Sequence, residues 1–476
     1  MNRDSRLIAT LGAVVLTAAV LQTSIVPVLD LVSAQLHISA AAAGWVVTAN
    51  LLAAAAATPL IGRLADLFNK KSVLLGALAL IVAGSMLAAL TSSLPLLIVG
   101  RVMQGMSFAL YPVAVSILRD ELPAERLIRS MAAISAMLGV GGAFGLVVTG
   151  FLMPAGASYH RVFWLSTVAA IVVTAAAVVV VPSRPHRVHS RVDWLGALAL
   201  AAGLCGLMLA VSQGAAWGWT SPRTASAAAL GSAVLLVWWS RSKRVAQPLV
   251  STAMLTRRPI LLANAATFLV GMGLYFSFLG MTDFVEAPRG AGYGFDATIL
   301  QASLLFLMPG ALSAAATTLI GGRCIERFGA RAVVAGGGLV GVVGFLMLAG
   351  WHDTRWEVMV AGVLTNAYIS LAYGALPALI VSEVDHSETG VATSLNGTFR
   401  KVGGAAAAAL VGALLTPRSG GLAAESGFTA VFVLGAATAA GSVLLVWLGR
   451  ERSAARRLAP TIPLRRPTLA AREVAA

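Results

Sequence analysis

The chain has 476 residues, 58% hydrophobic and 11% charged, with a mean hydropathy of +0.86 and a formal net charge of +15. A soluble domain carries about 25% charged residues, so this chain lacks the polar surface to face water and needs a bilayer as its solvent. Its positive charge falls in short loops between apolar runs, where it reports membrane topology rather than a nucleic-acid partner.

A membrane-crossing helix needs about 20 apolar residues. Such runs occur at 7–30, 42–62, 72–91, 95–118, 129–153, 162–182, 194–212, 223–240, 259–284, 298–320, 332–350, 357–382, 391–416 and 428–448. The expected fold class is therefore an all-α membrane protein with fourteen transmembrane helices. The connections alternate in charge. One side holds Arg3, Arg6, Arg63, Lys70, Lys71, Arg119, Arg126, Arg129, the arginines of 184–191 and 241–258, Arg323, Arg327, Arg331 and the basic tail. The other holds only Arg161, Arg223, Arg289, Arg355 and Arg418. The excess of Lys and Arg puts both termini in the cytoplasm, which an even number of spans requires. Met1 to Arg6 followed by an apolar run looks like a signal peptide, but no small-residue cleavage site precedes a soluble domain, so it reads as the first span. Cys205 and Cys324 have no metal-ligand neighbourhood and form no disulfide framework. The abundance of Ala, Gly, Val and Arg with few Lys points to a GC-rich bacterium, hence to the plasma membrane of a bacterial cell.

A short charged hinge recurs. Gly62-Arg63-Leu64-Ala65-Asp66-Leu67-Phe68-Asn69-Lys70-Lys71 has a degenerate copy in Gly322-Arg323-Cys324-Ile325-Glu326-Arg327-Phe328-Gly329-Ala330-Arg331, 260 positions later. Both read Gly-Arg, two residues, an acid and a basic end, between apolar runs. A repeated hinge means a duplicated bundle, the way secondary transporters are built. The expected organisation is an N-terminal six-helix bundle (1–182), an inserted helix pair with cytoplasmic linkers (183–258), a C-terminal six-helix bundle (259–448) and a basic cytoplasmic tail (449–476).

These residues resemble the major facilitator superfamily, specifically its fourteen-helix drug:proton antiporter branch, over essentially the whole chain. Gly62, Leu64, Asp66, Lys70 and Lys71 match the superfamily's loop signature between helices 2 and 3, while Leu67 and Asn69 depart from the usual Arg and Gly. Arg101, Gln104 and Gly105 match the Arg-x-x-Gln-Gly of helix 4. Trp217-Gly218-Trp219 resembles the branch's segment between the inserted helices. Gly141, Gly145 and Gly150 follow the antiporter signature of helix 5, but Leu146 stands where proline is usual. Gln22 stands where the branch often has an aspartate in helix 1. Both departures weaken the branch's standard route of proton antiport, not the fold. The resemblance implies a secondary exporter of small amphipathic organic compounds, a multidrug or antibiotic efflux protein coupled to protons by rocker-switch alternating access and working as a monomer. The same fold also serves nutrient importers and symporters.

The candidate residues follow from charge and depth. Asp66 is either a solvated loop acid or a gating latch on the positive end of a helix in the other half; that helix is the thirteenth, starting near Val391 and carrying Arg400. Glu326, with Arg327 beside it, is the reciprocal latch against the start of the fifth helix, near Arg126 or Arg129. Gly62, Lys70 and Lys71 belong to the same hinge. Arg101 lies inside its span, where a charge costs at least ~2.5–3.5 kcal/mol; it is a proton-relay or gating element, or a structural brace. Asp30, two turns past Gln22, and Asp283 are the best candidates for a proton-coupling acid, ahead of Glu286 and Glu357. Polar residues inside spans, Gln22, Asn50, Gln104, Tyr111, Asn264, Tyr275, Asn366, Tyr368, Tyr373 and Asn396, either line a substrate cavity or bridge helices. With so few charges, the cavity should prefer bulky amphipathic molecules. His186 and His189 are too few for a metal site. No nucleotide-binding glycine loop and no nucleophile–base pair occurs, so neither ATP-driven pumping nor enzymatic chemistry is expected. No cofactor is expected.

Overall fold

The computed structural model describes residues 3–25, 28–153, 156–184, 193–246, 248–298, 301–385, 388–415 and 423–449, and every regular element among them is helical. Long helices occupy all fourteen apolar runs. They are α1 (Arg3–Thr23), α2 (Ala40–Leu67), α3 (Lys70–Leu90), α4 (Leu94–Glu121), α5 (Ala124–Leu152), α6 (His160–Val180) and α7 (Trp194–Trp217). They continue as α8 (Pro222–Ser242), α9 (Arg258–Glu286), α10 (Ala302–Phe328), α11 (Ala330–Gly350), α12 (Arg355–Glu383), α13 (Thr389–Leu415) and α14 (Glu425–Leu448). Among the described residues thirteen helices are long and apolar enough to cross a membrane. The fourteenth is α8. Its final Arg241 donates two hydrogen bonds, at 2.8 and 2.9 Å, to Asp193 at the start of α7. The two helices therefore run antiparallel over the same depth, and 21 residues at 1.5 Å each give ~31 Å.

The packing is duplicated. In the first six helices, α1 packs on α5 and α6, α3 on α4 and α6, and α2 on α4. In the last six, α9 packs on α13 and α14, α11 on α12 and α14, and α10 on α12. A shift by eight helices converts one set of pairs into the other. The halves meet along two seams, α2 against α13 and α5 against α10, which the same shift exchanges. Both seams contain the end of the bundle where α1 begins and α14 ends, called the basic end below. There Leu60 and Ile128 join the apolar core of the second half, while Ala378 and Val381 join that of the first.

Local chemistry sets the helix ends. The first hinge turns on Asn69, whose Oδ1 accepts from the amides of Lys71 (3.0 Å) and Ser72 (3.3 Å) and caps α3. Its copy turns on Gly329 at φ +83°, a conformation that favours glycine. One hinge thus uses a side-chain cap and the other a backbone without Cβ, which accounts for asparagine standing where the motif has glycine. Thr354 and Glu357 form a reciprocal cap at the start of α12. This gives Glu357 a structural partner, so it makes a poor coupling acid. The first span is shorter than expected. α1 ends at Thr23, and a separate short helix, Leu29–Leu36, follows. Asp30 and Gln22 therefore do not share one helix.

The inserted hairpin α7–α8 covers the α2–α13 seam. Gln213 Nε2 donates to Thr48 Oγ1 (2.9 Å), the Thr48 and Ser212 hydroxyls lie 3.0 Å apart, and Cys205 Sγ donates to the Leu52 carbonyl (3.3 Å). All three bonds join α7 to α2, in the first half. Such bonds hold helices together where lipid supplies no hydrophobic drive.

Asp193 both caps α7, through the Gly196 amide at 2.9 Å, and holds Arg241. Burial pushes its carboxyl up, but the Arg241 guanidinium and the Gly196 N–H outweigh this and hold it below its usual range. A carboxyl depressed by folding contributes stability above its unfolded pKa and loses it as pH falls through the folded one. Asp193→Ala should destabilise the hairpin by ~2 kcal/mol, the sum of a lost cap and a charged hydrogen bond. The melting temperature in detergent checks this: Asp193→Asn should fall between wild type and Asp193→Ala, and its gap to wild type should narrow at acid pH.

Candidate functional site

The two halves are joined by charge at the basic end. α13 begins at Thr389, and its first amides have no carbonyl partner within the helix. Asp66, in the last turn of α2, supplies that partner from the other half. Its Oδ1 accepts from the Gly390 amide and its Oδ2 from the Val391 amide, each at 2.9 Å. The carboxylate is only 3% exposed, so the helix end is its chief solvation. Two glycines make the approach possible. A Cβ on Gly62 would overlap the Ser394 hydroxyl and lie 2.6 Å from the Gly390 carbonyl oxygen. A Cβ on Gly390 would lie 2.7 Å from Asp66 Oδ1.

The second hinge makes a different contact. Glu326 Oε2 accepts from Arg129 of α5, 2.6 Å from Nε and 2.5 Å from Nη2, and touches no backbone amide of that helix. The α5–α10 crossing is wider, since a Cβ on Gly322 would stand 3.1 Å from the nearest atom, Arg129 Cα. A long side chain fills the gap. A third link was not anticipated from sequence. Arg119, at the end of α4, donates to the carbonyls of Val384 (2.9 Å) and Asp385 (3.3 Å) and to the Thr389 hydroxyl. Its position at a span end gave it only a topological meaning, because the carbonyls that receive it carry no sequence signal.

Other hinge residues stay within one half. Lys70 pairs with Asp120 (2.6 Å) and donates to the Ser116 carbonyl (3.0 Å), fastening α3 to α4. Lys71 donates to the Val178 carbonyl of α6 at 2.7 Å. Arg327 lies over the ring of Phe328, its own neighbour. Arg400 is not at this end. It lies ten residues past Gly390, about 15 Å along the helix at 1.5 Å per residue, and so cannot meet Asp66.

Arg101 is 2% exposed and packed inside the first half. Its Nε donates to the Val46 carbonyl (3.0 Å) and its Nη1 to Gln104 Oε1 (2.6 Å), while Gln104 Nε2 donates to the Ser85 hydroxyl (2.7 Å). Asn50 returns a bond to the Arg101 carbonyl at 2.9 Å. The set ties α2, α3 and α4 together, and among the described residues no carboxylate pairs with Arg101. Several other polar candidates bridge helices. Asn396 donates to Asn264 (3.1 Å) and Thr267 (2.7 Å), joining α13 to α9; Tyr111 meets Ser135 at 2.7 Å and Tyr368 meets Ser442 at 3.1 Å. Gln22, Tyr275, Asn366 and Tyr373 are half-buried instead. Asn366 spends its amide on the Gly362 carbonyl of its own helix (2.9 Å), and Tyr275 packs against Gly404. Asp283 is exposed near the far end of α9. The side chains of Asp30 and Leu146, the histidines 186 and 189, and the tail 450–476 lie outside the described residues.

Midway along α13 stand two cations. Arg400 lies 4.4 Å over the ring of Tyr373 (α12), and Lys401 lies 3.9 Å over that of Phe108 (α4), with Nζ 3.5 Å from the Thr58 hydroxyl of α2. Lys401 was missed from sequence, although a second charge inside the same apolar run was a readable signal.

Comparison with known proteins gives consistent findings. The family model described as Major Facilitator Superfamily matches residues 11–408 and, in an overlapping match, 294–475. An uncharacterized MFS-type transporter of Mycobacterium tuberculosis is 29% identical over 411 residues, covering 84% of this chain and 58% of that protein. The chain thus spans less than two thirds of that relative's length. The tetracenomycin C resistance and export protein of Streptomyces glaucescens is 28% identical over 396 residues, 81% of this chain and 71% of its own. The crystal structure of the human organic anion transporter MFSD10 superposes with a TM-score of 0.66 over 94% of this chain and 100% of its own; at 16% identity that likeness shows the fold alone.

The Gly62 crossing generates a direct expectation. Gly62→Val should keep α2 and α13 apart and leave the basic end open. Ala132, buried against Gly322 and Gly374 of the second half, serves as the reporter when changed to cysteine after Cys205 and Cys324 are replaced by serine. A maleimide should label it about tenfold faster in Gly62→Val, a shift worth ~1.4 kcal/mol; an unchanged rate would mean that the crossing does not govern closure.

Proposed function

The chain belongs to the Major Facilitator Superfamily, and on that premise we propose that it exports small amphipathic organic compounds from a bacterial cell, driven by protons through rocker-switch alternating access. The observation that carries this reading is the Asp66 carboxylate seated on the first amides of α13. It spans the two halves at one end of the bundle, as a contact made in one state and broken in the other would. The positive-inside rule makes that end cytoplasmic, so the state described is closed to the cytoplasm. Arg119 and Arg129 act in the same direction as Asp66.

Export is favoured over import by the chemistry inside the spans. Few ionised groups and few free hydroxyl or amide groups face the seam, because Asn50, Gln104, Asn264 and Tyr111 are occupied between helices. A polar nutrient would find few partners there, whereas an aromatic or apolar body would find Phe108, Tyr275 and Tyr373. The likeness to the Streptomyces tetracenomycin C resistance and export protein supports the same direction. Asp283 is the proposed coupling acid of the second half, with Asp30 as its counterpart in the first. Each seam closes within one chain, so a monomer suffices.

Transport into inverted membrane vesicles tests the proposal. A panel of amphipathic compounds at two pH values should include some that accumulate when the vesicle lumen is more acidic than the bath and are released by an uncoupler. Asp66→Asn should cut the rate about tenfold or more at an unchanged membrane level, since ~2 kcal/mol of charge-assisted bonding is lost. Uptake by intact cells without uptake by inverted vesicles would make the protein an importer.

A further inference from the structure

We infer that Arg400 and Lys401 form a binding site for the acidic group of an aromatic organic anion, which deepens the export reading by naming its substrate class and rests on it for direction of transport. Consecutive residues on a helix point about 100° apart. Arg400 accordingly turns toward α12, over Tyr373, and Lys401 toward the first half, over Phe108 and beside Thr58. The two heads thus flank the line along which the halves meet. Tyr275 of α9 packs against Gly404, one turn past Arg400 on the same helix. Two cations are therefore walled by aromatic rings from both halves.

What this cluster lacks is a counter-charge. Among the described residues neither Arg400 nor Lys401 makes an ion pair, while the carboxylates that are paired lie near the two ends of the bundle. Charged side chains inside a membrane ordinarily pair with one another or mark a substrate path. Two adjacent like charges add mutual repulsion. Neither can escape to an interface, because Arg400 lies eleven residues from Thr389 and fifteen from Leu415, at least ~16 Å from either end of α13 and beyond the reach of a snorkelling side chain. The aromatic faces offset part of the cost, and rings do so for cations without supplying negative charge. An anion that enters between the halves would complete the set: its carboxylate, enolate or phenolate would take charge-assisted hydrogen bonds from the guanidinium and the ammonium, and its rings would stack on Tyr373, Tyr275 and Phe108. The site draws on α4 and α2 from one half and on α12 and α13 from the other, so opening either face alters it. That is the property a transported ligand's site requires.

Scintillation-proximity binding to the full-length protein in detergent tests this with three radiolabelled probes of one shape: naphthoate, neutral naphthamide and naphthylmethylammonium. Naphthoate should bind about tenfold or more tightly than the amide, and the ammonium should bind weakest. Lys401→Gln and Arg400→Gln should each abolish the preference for the acid, and Lys401→Arg should keep it. Amide binding shows that the variants are folded, and if Lys401→Gln binds nothing, Lys401→Arg decides the matter. Failure of naphthoate to bind wild type, equal binding of acid and amide, a preference for the ammonium, or a preference that survives Lys401→Gln would each overturn the site. Selective naphthoate binding with no proton-driven uptake into inverted vesicles would leave the site standing and sink the export reading. Proton-driven uptake with no selectivity for the acid would do the reverse.

Discussion

A carboxylate from one half of the chain solvates a helix end in the other, and the proposed closure of the basic end rests on that contact. Asp66 is buried between α2 and α13 and reaches the two amides at 2.9 Å. Hydrogen bonds to a charged group contribute about 1.5–3 kcal/mol, and a partly buried charge at a helix end up to ~2 kcal/mol. These terms overlap and do not add. Carrying a two-state equilibrium from one side almost wholly to the other takes ~5.5 kcal/mol, so Asp66 alone biases the closed state without locking it. Arg119 and Arg129 add smaller increments, the Arg129 side chain being largely exposed, and on the proposed cycle none of the three links is too strong to break.

The duplicated packing explains where these links fall. A shift by eight helices exchanges the α2–α13 and α5–α10 seams, and with them the two hinges. The two seams are nonetheless not equal. Gly62 and Gly390 let backbones touch at the first, so a short aspartate reaches amides directly. The wider second crossing needs Glu326 and the long side chain of Arg129. The α7–α8 hairpin adds to the difference, because its hydrogen bonds run to α2 and it covers only the tighter seam. One side of the molecule is thereby closed off from lipid by protein, and the α5–α10 side is not.

Much of this was legible in residues alone. Fourteen apolar runs, alternating charge and the repeated Gly-Arg-x-x-acid hinge anticipated the helices and their pairing, because span length and insertion are local properties of the chain. The meeting of Asp66 with the start of α13 was legible for the same reason: an acid at a helix end needs a positive partner, and the pseudo-symmetry names it. Three things were not. Arg119 acts on backbone carbonyls, which every residue has. Arg101, Asn50 and Gln104 satisfy one another inside the first half, and sequence cannot tell a bridging polar residue from one that lines a cavity. The break after Thr23 separates Asp30 from Gln22, whereas apolarity by itself predicts one continuous span. Asn69 shows the reverse case, a departure from a motif that becomes intelligible once its side chain is seen capping α3.

Control of the basic end by the Asp66 contact is open to a direct distance measurement. Phe68 and Phe328 occupy matched positions after the two hinge acids, in opposite halves, and both are exposed (48% and 62%). Spin labels placed there, in protein reconstituted in lipid nanodiscs, report the separation of α2 and α10 by electron–electron double resonance. Wild type should show a dominant short-distance population, and Asp66→Asn should raise the ratio of long to short distances about tenfold or more. Superimposable distance distributions for the two proteins would contradict the account.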